Sequence, residues 1–247
     1  MPKSYPIAVA DGCAAQATTI ETLAEIPEAI AALGLTPPRP TVVLVGGAGK
    51  MSPQDFSTLE QLFVEVIAPA VADIGAVVID GGTDCGIMAL IGKARQQIGA
   101  TFPLVGVAAI GTVCLPASPP PPNPDAATLE PHHSHFVLVP GNNWGDESPW
   151  IAAIASHMAG SAPSLTIVSN GGEITWQDVA QSVNAERSTV ILGGSGRTAD
   201  GLAAALRGEP CDDRAYPLVA SGLLRTVDMK REAPHLGQLL RSHLSFQ

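Results

Sequence analysis

A doubly wound α/β domain, with a mostly parallel sheet and helices on both faces, is the fold class this sequence predicts. Short β-branched, apolar runs alternate with helix-period stretches at roughly 30-residue intervals, which is the strand–helix–strand rhythm. Four of those runs end in glycine-rich turns: Gly46-Gly47-Ala48-Gly49-Lys50, Asp80-Gly81-Gly82-Thr83, Asn170-Gly171-Gly172-Glu173 and Gly193-Gly194-Ser195-Gly196-Arg197. The composition is 46% hydrophobic with only 4% aromatic residues, which suits Ala/Val/Ile/Leu strands buried on both sides. No long linker divides the 247 residues, so a single domain is expected, with a core at about 40–208, an N-terminal extension over 1–39 and a helical tail over 209–247.

Taken in order, residues 7–10 read as an extended opening piece and 20–33 as a short helix. Thr36-Pro37-Pro38-Arg39-Pro40 breaks the chain before the first core strand, 41–45. A helix over 53–74 carries Phe56, Leu59, Leu62, Phe63, Val66 and Ile67 at helical spacing, so all six are expected in the core. A strand at 76–79, a helix at 86–97 and a strand at 104–109 follow, the last ending at Gly111-Thr112. Residues 116–131 are too crowded with proline for regular structure and form either a flap over the strand ends or an inert insertion. Then come strand 135–139, helix 150–158, strand 165–168, helix 176–184, strand 189–192 and helix 198–206. The residues from 210 onward read as helix packed on the sheet.

Charge and cysteine usage narrow the function. A formal net charge of -10 and a pI of about 4.9 oppose binding to nucleic acid or to an anionic membrane, both of which need concentrated Lys and Arg. Any phosphate work therefore falls to local basic residues and backbone amides. Cys13, Cys85, Cys114 and Cys211 are scattered, with no C-x-x-C pair, and are expected as buried reduced thiols. The opening Met-Pro-Lys-Ser-Tyr-Pro lacks the charged start and apolar core of a signal peptide. No stretch approaches about 18 uninterrupted apolar residues. A cytoplasmic protein is expected, and the sequence leaves a homo-oligomer open.

The glycine turns carry the functional signal, because a loop between a strand end and a helix N-terminus can hold an anion on uncovered amide N–H groups. Familiar motifs fail against them one by one. A P-loop needs glycine six residues before its lysine and Ser/Thr after it, where this chain has Leu44 and Met51 around Lys50. The dinucleotide fingerprint started by Gly47 and Gly49 meets Ser52 where it needs glycine or alanine. A nucleophile elbow started at Gly194-Ser195 ends in Arg197. In His132-His133-Ser134-His135, His133 and His135 share a strand face with no third ligand in view, so a polar pocket wall or solvated rings are expected and no metal. The run Trp144-Gly145-Asp146-Glu147-Ser148-Pro149-Trp150 either stacks a base and binds ribose hydroxyls or is a capped helix entry.

Several of these stretches, in this order, resemble the SLOG superfamily, most closely its prokaryotic LSDAT branch. The resemblance rests on Gly46-Gly47-Ala48-Gly49-Lys50, on Ile79 to Met88, on His133 to Val139, on Asn170-Gly171-Gly172 and on Gly194 to Asp200, and it runs from about Pro40 to Gly208. That branch is related to the ligand-sensing N-terminal domain of melastatin-type TRP channels and, more distantly, to LOG-type phosphoribohydrolases. The resemblance implies a Rossmann-like sheet whose carboxyl-end loops receive a nucleotide or nucleotide-sugar, ADP-ribose being the ligand of some channel domains, with no cofactor. The residues it assigns to the ligand are Gly46, Gly47, Ala48, Gly49, Lys50, Gly81, Gly82, Thr83, Gly86, Thr112, His135, Asn170, Gly171, Gly172, Glu173, Gly194, Ser195, Gly196, Arg197 and Asp200. Arg197 is expected on a phosphate, since a guanidinium grips phosphate oxygens in pairs, and Asp200 is placed to orient it.

The LOG signature, Pro-Gly-Gly-x-Gly-Thr-x-x-Glu, lies over Asn170 to Asp178 without a gap, but Asn170, Ile174 and Asp178 replace its Pro, second Gly and terminal Glu. A carboxylate one methylene shorter, on a loop with a bulky Ile, is poorly placed for glycosidic hydrolysis. Sensing is therefore the leading expectation. A phosphoribohydrolase using Asp178 or Glu173 is the alternative, and a structural protein with a vestigial pocket is a third reading. In the plainest view, Glu173 and Asp178 only complement a helix dipole.

Overall fold

The computed structural model describes residues 1–10, 13–47, 49–115 and 118–245. Strands β1 (Tyr5–Ala10) and β2 (Cys13–Thr19) pair antiparallel and are followed by α1 (Ile26–Ala32). Strand β3 (Thr41–Gly46) leads into one long helix, built of α2 (Pro53–Leu62), a π-helical turn at Phe63–Ile67 and α3 (Ala68–Ile74). Pro69 accounts for the π turn: it has no N–H, its ring crowds the carbonyl four residues back, and a wider turn relieves both. Next come β4 (Val77–Asp80), α4 (Gly86–Gln97), β5 (Leu104–Ala109) and two short strands, β6 (Val113–Cys114) and β7 (Ala127–Thr128). The second half runs β8 (His135–Val139), α5 (Ser148–Ala159), β9 (Ser164–Ser169), α6 (Glu173–Asn184), β10 (Ser188–Gly193) and α7 (Arg197–Leu206). It ends in α8 (Ala215–Ala220), β11 (Leu224–Asp228) and α9 (Ala233–Leu244).

Nine strands of the described residues form one sheet, in the order β1-β2-β8-β5-β4-β3-β9-β10-β11, parallel throughout except for β1. Alternate residues point to opposite faces. Val43, Val45, Val77, Ile79, Val168 and Ile191 pack under α1, α5, α6 and α7, whereas Val42, Leu44, Val78, Ile167, Val190 and Leu192 pack under the long helix, α4 and α9. The chain winds outward from β3 through β4 and β5 to β8, then returns to the other side of β3 and winds outward again through β9 to β11. That reversal puts a topological switch point between β3 and β9, where open α/β sheets form a crevice at their strand carboxyl ends.

Several expectations are corrected. Residues 13–19 form a strand that the sequence reading missed, because Cys13-Ala14-Ala15-Gln16-Ala17 carries none of the β-branched apolar bulk that marks strands. The tail is not all helix: β11 closes the far edge of the sheet beside β10, and its exposed Arg225 and Thr226 disguise it, as polar edge strands do. Phe56 is 38% exposed rather than in the core, and Val66 is only half-buried. Cys85 and Cys114 are exposed and Cys13 and Cys211 half-buried, so the thiols are free but not buried. Of the proline-rich stretch, Pro116 and Ala117 lie outside the described residues, while 127–130 are fastened to the loop after β4. Asp84 N–H donates to the Thr128 carbonyl at 2.8 Å and Glu130 N–H to that of Gly82 at 2.9 Å, and Thr83 bridges to Leu129. Among the described residues, no helix is long and apolar enough to cross a membrane.

Candidate functional site

A cavity of about 490 Å³ opens at the switch point, within the ~300–1,000 Å³ span usual for small-molecule sites. Gly46 makes it possible. Its φ is +120°, and a Cβ there would stand 1.9 Å from the Ser169 carbonyl oxygen, so only glycine lets β3 and β9 run this close. Gly47 N–H then donates to that carbonyl at 2.9 Å, and the chain passes Gly49 along the cavity wall. From the loop after β4, Gly81, Thr83 and Gly86 reach the cavity at the N-terminus of α4; Gly171, Gly172 and Glu173 do so at the N-terminus of α6.

The loop after β10 supplies one side chain, Arg197. Arg197 opens α7 with φ +51°, and its Nη2 lies 2.9 Å from where a Gly172 Cβ would stand, its Nη1 3.5 Å from that of Gly49. The guanidinium is exposed across two glycine loops and makes no ion pair or side-chain hydrogen bond among the described residues. Asn170 and Ser195 fix the loops that present it. Asn170 Nδ2 donates to the Ser195 carbonyl at 2.7 Å, Asn170 N–H donates to Ser195 Oγ at 2.8 Å, and Thr198 Oγ1 donates to the Gly172 carbonyl at 3.0 Å.

Other residues assigned from the sequence lie elsewhere. Lys50 is exposed beside the first loop with φ +62°, and Ala48 lies outside the described residues. Gly82 is buried behind the second loop, where a Cβ would sit 2.7 Å from the Gly106 Cα and 3.0 Å from the Phe136 ring. Thr112 is buried with its hydroxyl donating to the Ala109 carbonyl at 2.8 Å, and His135 begins β8 at the opposite end of the strands from the cavity, hydrogen-bonded to Ser134. Asn170, Ser195 and Gly196 brace the loops without lining the cavity. Gly194 and Asp200 line a separate cleft, where Asp200 Oδ1 accepts the Gly194 N–H at 2.7 Å instead of orienting Arg197.

The far wall is acidic and apolar. Trp144, Ile151 and Ile174 line it together with Glu147 and Asp178, while Phe56 and Met88 line the cavity from α2 and α4. Glu147 Oε2 accepts the Gly145 N–H at 3.0 Å, and Asp178 Oδ1 accepts the Ser148 hydroxyl at 2.5 Å. Burial, with Asp178 nearby, pushes the Glu147 carboxyl up to about 7; burial pushes Asp178 up to about 6 against the opposing bond from Ser148. Of the Trp144–Trp150 run, Trp144 faces the cavity and Trp150 packs on the core, while Asp146 accepts the Asn142 and Asn143 N–H groups and ties the turn. Glu173 reaches the rim but pairs with Arg214, whose guanidinium lies 4.7 Å over the Trp176 ring.

A fully buried triad sits under the second loop, where neither the metal nor the pocket-wall reading had placed His133. His133 Nε2 bonds Asp80 Oδ1 at 2.8 Å and Nδ1 bonds Glu130 Oε2 at 2.7 Å, while Asp80 Oδ1 also accepts the Gly82 N–H at 2.8 Å. Burial works against the charged ring, but the charges and hydrogen bonds of Asp80 and Glu130 outweigh it and raise His133 to about 9. It is therefore an imidazolium at neutral pH, clamped between two carboxylates. The sequence signal for this was thin: Asp80 and Glu130 are 50 residues apart in the chain, and only the fold joins them.

A doubly wound sheet with a glycine-lined crevice at its switch point, where an open arginine and two carboxyls, Glu147 and Asp178, reach the cavity, defines a Rossmann-like domain. The chain belongs to the family described as SLOG in TRPM, prokaryote, whose profile matches residues 39–236. It is also similar to a transient receptor potential cation channel subfamily M member-like 2 of Nematostella vectensis, 27% identical over 177 residues, a match covering 57% of this chain and 11% of that protein. The chain thus spans about 11% of the length of that curated relative. Family membership supports a ligand-sensing module in general terms.

Proposed function

We propose that the crevice binds a nucleotide-derived ligand, ADP-ribose or a related nucleotide-sugar, and that the protein is a cytoplasmic ligand sensor rather than a catalyst. The observation that carries this reading is Arg197: an open guanidinium lying across Gly49 and Gly172, at the mouth of a cavity ringed by glycine loops. A phosphate there would take paired hydrogen bonds from the arginine and sit near the N-terminus of α6, which begins next to Gly172. The kinship with the N-terminal domain of melastatin-type channels favours ADP-ribose among such ligands.

The test is a thermal-shift screen against ADP-ribose, cyclic ADP-ribose, NAD and AMP. A binder present at about 100 Kd stabilises the fold by about 2.7 kcal/mol. No shift with any of them overturns the reading. Arg197→Ala is expected to fold normally and to lose about 1.5–3 kcal/mol of binding, roughly 10- to 100-fold in Kd by calorimetry. Unchanged affinity in that variant removes Arg197 from the site.

One observation favours a hydrolytic reading, namely that Asp178 and Glu147 both reach the cavity with raised pKa values, as acid/base carboxylates do. Against it, Asp178 is held by Ser148 and stands one methylene shorter than the signature residue. AMP incubated with the protein is accordingly expected to yield no steady release of adenine and ribose 5-phosphate. Chromatography checks this: turnover near ~1 s⁻¹ that disappears in Asp178→Asn would replace the sensor with a phosphoribohydrolase.

A further inference from the structure

The acidic wall of the crevice asks for something the phosphate end does not explain. Glu147 and Asp178 come from different elements, the loop after β8 and α6, yet neighbouring positions join them: Ser148, next to Glu147, donates its hydroxyl to Asp178. Each carboxyl has an oxygen held by the protein, Glu147 Oε2 by the Gly145 N–H and Asp178 Oδ1 by the Ser148 hydroxyl. The Glu147 carboxyl is also held by its own backbone N–H, whereas Asp178 Oδ2 has no hydrogen-bond partner among the described residues, and Trp144, Ile151 and Ile174 line the cavity with them. Two carboxyls side by side in one cavity lining, one with an oxygen that no donor of the described residues meets, suit donors brought by a ligand.

We propose that Glu147 and Asp178 form a diol-recognition subsite that binds the sugar hydroxyls of a ribosyl phosphate, setting its phosphate on Arg197 and its sugar against the carboxylates. This rests on the reading of the crevice as a nucleotide site and names what decides its specificity. A second phosphate is excluded from this end by like charge. A vicinal diol brings two O–H donors to two acceptors while staying neutral. That matters because Glu147, raised to about 7, is only partly ionised at neutral pH. A diol accepts a hydrogen bond from a protonated Glu147 as readily as it donates to an ionised one. Trp144 and Ile174 supply the apolar face a sugar ring packs on.

The experiment compares AMP with 2′,3′-dideoxy-AMP by calorimetry on the whole chain, with ADP-ribose run alongside. The wild-type protein is expected to bind AMP at least about 10-fold more tightly than the dideoxy compound, and Glu147→Gln with Asp178→Asn is expected to shrink that ratio to about twofold or less. The carboxylate variant should keep its dependence on Arg197, because the phosphate end is untouched. Equal binding of the two nucleotides by the wild-type protein overturns the diol subsite while leaving the nucleotide site standing. So does a hydroxyl preference that survives in the double variant. AMP left unbound while ADP-ribose binds overturns the subsite alone, and silence with all three ligands removes both readings. The ligand comparison needs no mutant, so it decides the point even if the double variant does not fold.

Discussion

Replacing His133 with alanine is expected to cost the fold about 3–5 kcal/mol, because it removes the cation hydrogen-bonded to two fully buried carboxylates. For a domain whose whole stability is ~5–15 kcal/mol, this is a large share. Asp80 Oδ2 and Glu130 Oε1 already lack partners, and without the imidazolium two buried carboxylates lose the cation hydrogen-bonded to both. Arg95 cannot take over. It is half-buried on α4, its guanidinium committed to the Phe102 and His132 carbonyls, and it acts on Glu130 only through its charge. Urea unfolding measures the loss. Adding Asp80→Asn and Glu130→Gln to His133→Ala should recover part of it, since no uncompensated charge would remain. A loss below about 1 kcal/mol, or no recovery in the triple variant, means that the triad is not the ion cluster its geometry describes.

The same cluster makes the stability depend on pH with a definite sign. His133 is raised from 6.5 to about 9 in the folded chain. Its contribution is therefore complete below pH 6.5 and lost as the pH rises through about 9, when the folded ring also gives up its proton. Glu147 and Asp178 are raised as well, so they too favour the folded chain at the acidic end, and their share disappears by about pH 7. Between pH 7 and 9, the remaining fall belongs to His133. The wild-type protein should lose stability over that interval while the His133→Ala, Asp80→Asn, Glu130→Gln triple variant stays level, which unfolding curves taken at pH 7, 8 and 9 will show.

How much of this was legible in the sequence depends on the kind of force at each position. The core strands β3, β5, β8 and β10 announce themselves because a parallel strand buried on both faces must be apolar at every residue. Strand β2, one in from the β1 edge, and strand β11, at the far edge, obey no such rule. Ala14 and Arg225 look outward, and local preference there is overruled by pairing with a neighbour from far along the chain. The glycine turns were legible as turns, but their separate purposes were not. Gly46 serves a backbone crossing, Gly82 a contact with Gly106 and Phe136, and Gly194 the cleft with Asp200. Phe56 repeats with the core residues of its helix, yet it lies in the first turn and lines the crevice. The acidic wall was half legible: the tryptophan-flanked carboxylates stood out, but their partner Asp178 lies 31 residues beyond Glu147, and no spacing rule joins the two.

Glycine to alanine at position 46 is expected to be the most damaging single methyl in the chain. The new Cβ would have to occupy a point 1.9 Å from the Ser169 carbonyl oxygen, which is backbone of the adjacent strand and cannot swing aside as a side chain could. Overpacking of this kind costs about 1–3 kcal/mol, and alanine at φ +120° adds about 1–2 kcal/mol more. The pair β3–β9 would have to part where the sheet reverses its winding, which also breaks the Gly47-to-Ser169 hydrogen bond. A fall in Tm of roughly 5–15 °C follows for a domain of this size. Gly82→Val should behave alike for a different reason, since its Cβ meets the Gly106 Cα at 2.7 Å with φ +67°, so its loss of binding would come through unfolding rather than through contact with a ligand. Gly201→Ala is the control. It lies in α7 with nothing within 4 Å of its Cβ position, and is expected to raise stability by about 0.5–1 kcal/mol through helix propensity alone. Scanning calorimetry ranks the three. If Gly46→Ala melts with the wild type, the two strands have room between them, and the crevice is not built by the close approach of β3 and β9.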